Sequence, residues 1–200
     1  KGDKGKQNKH TEMSAVRALS ATEKNDQGGC IFVSERVEKF IPPKKGRSHI
    51  LMIIRELIEF VPQHSGTALS EPLRYLTNAL KKRCTAFMLS DFMEPAGDEN
   101  RFEESLKIAS GKHDIVGIRV YDRRDAELPD VGVMELQDAE TGVKLWVDTS
   151  LRSVRESYRR AWEENSRRLQ SALARSRVDS VSVATDEDYV KALIKLFKRR

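Results

Sequence analysis

Two side chains with oxygen donors stand out by type and spacing. Thr67 lies in the loop His64-Ser-Gly-Thr-Ala-Leu-Ser-Glu-Pro-Leu, and Asp91 closes the run Cys84-Thr-Ala-Phe-Met-Leu-Ser-Asp twenty-four residues later. Gly66 gives the backbone in front of Thr67 its freedom. Ser70 and Pro72 read as cap and first-turn residue of a helix through Leu73, Leu76 and Leu80. Cys84 to Leu89 is a short continuous apolar run, the pattern of a strand covered on both faces. Ligands of open α/β sheets sit outside the carboxyl ends of the strands, where Asp91 would stand, so Thr67 and Asp91 could face one crevice. From spacing alone the blander reading is stronger, with Thr67 a helix N-terminal residue and Asp91 a turn residue.

Other constellations are sparse. There is no glycine-rich phosphate loop followed by Lys-Ser/Thr, and no Gly-x-Ser-x-Gly elbow. His10, His49, His64 and His113 show no ligand spacing with one another or with a cysteine, which favours surface or structural roles. Cys84 would be a nucleophile only if solvent reached it. Arg152, Arg155, Arg159, Arg160, Arg167 and Arg168 could grip phosphates. Against that, Glu156 with Arg160, Arg159 with Glu163 and Glu164 with Arg168 are i, i+4 pairs of opposite sign, the mark of a solvated, salt-bridged face. Few exposed aromatics are interleaved for stacking on bases. Lys44-Lys45-Gly-Arg47 reads as an exposed basic turn.

The elements that must position these residues follow from the apolar pattern. Two hundred residues with 38% hydrophobic content suit one domain with a real core. A net charge of +5 permits nucleic acid or an acidic partner but is too mild to demand either. Cys30 and Cys84, both in apolar runs and far apart, fit a reducing compartment. No apolar run nears the roughly 18 residues that span a bilayer and no signal peptide is visible, so the expected location is the cytoplasm.

Lys1 to His10 reads as a loop or tail, followed by a helix with Met13, Val16 and Leu19 inward, ending near Asn25. Cys30 to Val33 is a buried strand, and Val37 to Ile41 its hairpin partner, with Pro42-Pro43 at the end of an edge strand. Ser48 caps a helix bearing Leu51, Ile54, Leu57 and Ile58. Phe102, Leu106 and Ile108 mark a helix stopped at Gly111, and Asp114 to Val120 another buried strand. Val133 to Leu136 and Val143 to Val147 flank Ala139-Glu-Thr-Gly142 as a hairpin appended to the core. A long helix follows from Thr149, with Val154, Tyr158, Trp162, Leu169 and Leu173 inward. Val178 to Val183 is a last strand, and Thr185 and Asp188 resemble a capping box before a helix with Val190, Leu193, Ile194 and Phe197. Strands alternating with helices predict an α/β fold, a doubly wound, mostly parallel sheet between helices.

This order resembles the von Willebrand factor A fold and, more narrowly, the bacterial domain of unknown function fifty-eight, found beside MoxR-type AAA+ ATPases. The resemblance is carried by Cys30 through Arg47, Lys82 through Phe92, His113 through Arg123 and Asp179 through Tyr189. With the segments between, it covers nearly the whole chain. Family members hold, upstream, a segment rich in Arg, Glu and Asp and the metal motif Asp-x-Ser-x-Ser. Neither is in this sequence, and Lys1 to His10 looks like the loop just after that motif. The resemblance implies residues 1–200 to be one A-type domain lacking its N-terminal strand, the C-terminal two-thirds of a longer protein.

It further implies a metal-dependent, non-enzymatic protein-binding module in the intact protein, with Mg²⁺ or another divalent cation held partly by Thr67 and Asp91. The family's glycine after that aspartate is replaced by Phe92. A MoxR-type ATPase is the implied partner, and this chain alone is expected not to bind the ion tightly. Alternatives are a hydrolase using the ion to activate water, for which no general base can be nominated, and nucleic-acid binding through the arginine-rich helix. The implied missing strand lies between the strand at Ile31 and that at Phe87. Coordinates should then show a gap there, or the two strands collapsed together.

Overall fold

A computed structural model describes residues 26–63, 68–93, 99–137 and 143–198. The expected helix around Met13 to Leu19, the loop with His64 and Thr67, and the hairpin turn at Ala139 to Gly142 lie outside them. The described elements form a mixed α/β architecture. It contains β1 (Gly28–Val33), β2 (Val37–Lys44), α1 (Arg47–Glu59), α2 (Ser70–Ala79), β3 (Thr85–Ser90), α3 (Glu99–Lys112) and β4 (Asp114–Tyr121). The short α4 (Arg123–Ala126), β5 (Val133–Gln137), β6 (Lys144–Asp148), α5 (Arg152–Arg175), β7 (Asp179–Ala184) and α6 (Tyr189–Lys198) follow.

The centre is the parallel sheet β3-β4-β7. Thr85 pairs with Asp114 and Ser90 with Arg119 on one side of β4, while Val116 pairs with Asp179 and Tyr121 with Ala184 on the other. Side chains alternate across this sheet, as a period of two requires. Val116, Ile118, Val120 and Val183 pack against Leu193 and Leu196 of α6. On the opposite face Ile115 joins Leu73 and Leu76 of α2, Phe102 and Leu106 of α3, and Leu169 and Leu173 of α5. Helices therefore cover both faces.

The expected mostly parallel sheet is not continuous among the described residues. β1 and β2 form a separate antiparallel pair, and β1 does not hydrogen-bond to β3. Phe32, Ile41, Ile50 and Ile53 give this pair and α1 a cluster of their own. Ile31 nonetheless packs against the same cluster as Ala86 and Met88 of β3. The strand covered on both faces is β4, buried from Ile115 to Val120. β3 was expected to be equally covered, but it is only half-buried from Ala86 to Ser90, with β4 as its one neighbour among the described residues. A strand with a single neighbour leaves one edge of its side chains uncovered.

Several local expectations are corrected. β2 runs through Pro42 and Pro43 to Lys44: β1 is its one partner among the described residues, and the prolines fall where the register shifts between Cys30–Ile41 and Gly28–Lys44, an irregularity that tolerates missing N–H groups. Gly29 makes this pairing close: a Cβ there would come within 2.8 Å of the Ile41 carbonyl oxygen. Neither Ser48 nor Ser70 caps a helix. Gly46, at φ 106°, and Leu69 hold those positions, and no side chain caps either start. Ile108 turns outward and Ala109 inward, and α3 continues through Gly111 to Lys112. The long helix begins at Arg152 rather than Thr149. Thr149 is buried, donating from its hydroxyl to the Gly132 carbonyl at 2.7 Å and accepting from the Val131 N–H at 3.1 Å, which ties the base of the β5–β6 hairpin. The hairpin is appended as expected, with Val133, Leu145 and Trp146 exposed. A capping box does occur, but at α4 between Asp122 and Asp125. Thr185 instead donates its N–H to the Tyr121 carbonyl, while Asp188 accepts from the Val190 N–H.

Candidate functional site

β3 delivers Ser90 and Asp91 to the carboxyl end of the parallel sheet, where the strand-end rule places ligands. Both side chains fold back onto their own loop. The Ser90 hydroxyl accepts from the Phe92 N–H at 3.0 Å, and Asp91 Oδ1 accepts from the Met93 N–H at 3.2 Å. Between them Phe92 takes φ 54°, a left-handed conformation uncommon for a bulky residue. Its ring is buried and meets Phe102 edge-on, with centroids 6.3 Å apart. The chain turns at this residue so that the ring enters the core while Asp91 stays at the sheet's end.

Beneath the loop lies Arg119, only 5% exposed in the middle of β4. Its Nε donates to the Asp91 carbonyl at 3.0 Å and its Nη1 to the Ser166 hydroxyl of α5 at 2.8 Å. The guanidinium lies 4.0 Å from the centre of the Trp162 ring, which also touches Tyr121. Burial pulls its pKa down, and the charge of Asp91 is the first to oppose this. Nη2 is buried without a partner among the described residues. Sequence reasoning passed over Arg119, although a lone cation inside the run Asp114 to Val120 was the available signal.

Asp91 thus stands where expected, while Thr67 lies outside the described residues. Its neighbour Ala68 donates an N–H to the Ser34 carbonyl at 3.1 Å, just past the carboxyl end of β1. The other acids at the ends of β4 and β7 are used locally. Asp122 and Asp125 cap α4, and Arg123 pairs with Asp186 at 2.7 Å and Glu187 at 3.3 Å. No group of three or more His, Cys, Asp or Glu that could hold a metal ion occurs among the described residues. A hard divalent ion takes about six oxygen ligands. The described residues supply one carboxylate with an oxygen already engaged, so by themselves they do not fit the ion.

A second pair was not visible in the spacing. Cys84 Sγ lies 3.5 Å from His113 Nδ1, at the amino ends of β3 and β4, opposite Asp91. Cys84 is half-buried rather than buried. Burial, and then the Asp114 charge, raise its thiol above the usual value, which makes it a poor nucleophile. Cys30, also half-buried, is pushed up to about 11 by burial. His113 is 2% exposed with Nε2 unpartnered among the described residues. Burial lowers its pKa below the ordinary 6.5, and Lys112 and Arg83 add to this. The unfolded chain therefore takes up this proton first, and stability falls as pH drops through the ordinary value until the folded imidazole also protonates. Denaturation midpoints measured from about pH 8 down to about pH 5 should decline less in His113→Gln than in the parent chain. Equal declines would show that His113 does not carry this dependence.

The arginines of α5 have acidic partners. Glu156 receives Arg152 at 2.7 Å and Arg160 at 3.7 Å, Glu163 receives Arg159 at 3.6 Å, and Glu164 receives Arg167 at 2.6 Å and Arg168 at 3.1 Å. Arg155 pairs with Asp130 at 3.0 Å. The three i, i+4 pairs read from the sequence are all present.

The family described as protein of unknown function DUF58 matches residues 2–168. This chain belongs to the DUF58 family. An uncharacterized protein of Mycobacterium tuberculosis is 25% identical over 197 residues, covering 94% of this chain and 60% of the relative. An uncharacterized protein of Mycobacterium avium is 26% identical over 164 residues, covering 80% of this chain and 93% of the relative. The chain thus spans about three-fifths of the length of the tuberculosis relative. Among solved structures, the conserved hypothetical protein BatB from Bacteroides thetaiotaomicron is similar at TM-score 0.57 and 16% identity, covering 94% of this chain and 87% of that one. An aerotolerance-related membrane protein from Bacteroides fragilis reaches TM-score 0.59 at 13% identity, covering 96% and 88%. At such identities the likeness is one of fold. In this DUF58 chain, no helix among the described residues is long and apolar enough to cross a membrane.

Proposed function

We propose that this DUF58 domain is a non-enzymatic protein-binding module of von Willebrand factor A type. Its recognition in the complete protein depends on a divalent ion such as Mg²⁺, held in part by Asp91 and Thr67. The observation that supports this most is the Asp91 loop. It stands at the carboxyl end of a parallel sheet and is clamped from beneath by a buried arginine. Arg119 fixes the Asp91 carbonyl to β4 and α5 together, so the carboxylate is presented by a rigid floor. The remaining ligands come from Thr67 and from the upstream Asp-x-Ser-x-Ser motif that the family resemblance implies. The partner in this reading is a MoxR-type AAA+ ATPase, met in the cytoplasm.

The catalytic alternative finds less support, because Cys84 and His113 sit at the other end of the sheet with a raised thiol pKa. The nucleic-acid alternative is weakened by the acidic partners of the α5 arginines. The test is binding of a purified MoxR-type ATPase to the longest protein carrying this chain, in Mg²⁺ and in EDTA, with Asp91→Ala beside the parent. Binding lost in EDTA and in Asp91→Ala is the expected result. Binding that persists unchanged in both would remove the metal from the reading, and no binding in any condition would remove the partner.

A further inference from the structure

β7 pairs with β4 on one side, and among the described residues no strand pairs with its other edge. At its end Ala184 donates its N–H to the Glu187 carboxylate at 3.3 Å and accepts the Glu187 N–H at 3.0 Å, so the open stretch is the one around Ser180 and Ser182. Unpaired backbone donors and acceptors on a strand edge are a template for another strand. That edge is open in a particular way. Ser180 and Ser182 are exposed and small, and they border a groove of about 360 Å³ whose walls include Gln170 and Leu173 of α5 and Lys195 of α6. A second opening of about 460 Å³ continues along α6, lined by Lys191, Ile194, Lys195 and Lys198. Lys195 belongs to both.

The charge along this groove is of one sign. Lys191, Lys195 and Lys198 recur at helical spacing and form no ion pair among the described residues, unlike the arginines of α5. Arg119 lines the groove floor from β4, 5% exposed, with its buried Nη2 unpartnered among the described residues. Val190 and Ile194 add apolar surface beside the lysines, 44% and 50% exposed. These features ask for an occupant with backbone groups for the edge and carboxylates for the lysines.

We propose that the β7 edge and α6 form a docking groove for an extended acidic segment of a partner protein, which joins the sheet as a strand beyond β7. Side chains of an added strand alternate between the two faces of the sheet. One set then meets the α6 lysines and carries the acids, while the other lies against α5 and is small or apolar. Strand addition gives affinity through the main chain and specificity through alternate side chains. The inference uses neither Asp91 nor a metal, so it stands or falls apart from the function proposed above.

The experiment is fluorescence polarisation of two labelled eight-residue peptides with the intact chain in EDTA, one alternating Glu with Val and the other Lys with Val. The acidic peptide should bind at least about tenfold more tightly, with the advantage shrinking as salt is raised. The combined substitution Lys191→Glu, Lys195→Glu and Lys198→Glu should cost the acidic peptide at least about tenfold in affinity without moving the thermal midpoint. Methylating alternate backbone nitrogens of that peptide should abolish binding in one register and spare it in the other, because only one set faces β7. Equal binding of the two peptides would overturn the proposal. So would indifference to the lysine reversal, or equal effects of the two methylation registers.

Discussion

Seating one further parallel strand between β1 and β3 is expected to raise the denaturation midpoint of this domain sharply. β1 pairs only with β2, and β3 only with β4, among the described residues. Ile31, Ala86 and Met88 already lean on a common cluster but remain half-buried. β4 shows what a second neighbour does, since it is buried from Ile115 to Val120. Covering a half-exposed apolar side chain is worth roughly 1 kcal/mol, and each strand hydrogen bond about 1 kcal/mol net. Several of each amount to a large part of a native stability of about 5–15 kcal/mol. The measurement is chemical denaturation of residues 1–200 beside the same chain extended upstream. A shared midpoint would mean that no strand belongs between β1 and β3.

The second large effect is expected at Phe92, where two terms of opposite sign meet. Removing a buried phenylalanine costs about 3–5 kcal/mol, and relieving a side chain held at φ 54° returns about 1–2 kcal/mol. Phe92→Gly should therefore lose roughly 1–4 kcal/mol of stability, since burial outweighs strain. Phe92→Ala removes nearly the same ring contacts but keeps the Cβ in the left-handed region. It should be less stable than the glycine variant by about 1 kcal/mol, the reverse of the usual order inside a core. Denaturation of both variants decides this, and an alanine variant as stable as the glycine one would show that the turn carries no strain.

The strands were legible because their apolar runs are short and bounded by breakers. Asp114 to Val120 and Val178 to Val183 needed only hydrophobicity and length to be found, and the strands differ from these bounds by one residue, ending at Tyr121 and spanning Asp179–Ala184. Helix starts were less legible. Ser48 and Ser70 have the right chemistry for caps, but the chain enters each helix one or two residues earlier, and a cap depends on backbone entry as much as residue type. Half of the candidate site was legible. Asp91 follows from a strand end, whereas Arg119, Ser166 and Trp162 meet only through the packing of α5 on β4, the first two being 47 positions apart in sequence. Phe92 illustrates the same limit, because neither its residue type nor its neighbours announce a left-handed turn. The Cys84–His113 pair is 29 residues apart in sequence and is brought together by the register of β3 on β4.

Pro42 and Pro43 also bear on self-assembly. A stack of sheets that grows copy upon copy needs an adhesive edge at each end, so that every added molecule offers a new one. The prolines contribute no N–H, and they sit in β2, whose one partner among the described residues is β1. Successive N–H groups of a strand point to opposite edges, so an arriving strand would find one of these two donors missing on the outer edge. Contacts between copies made at the other edges would then close after a pair rather than propagate into fibres.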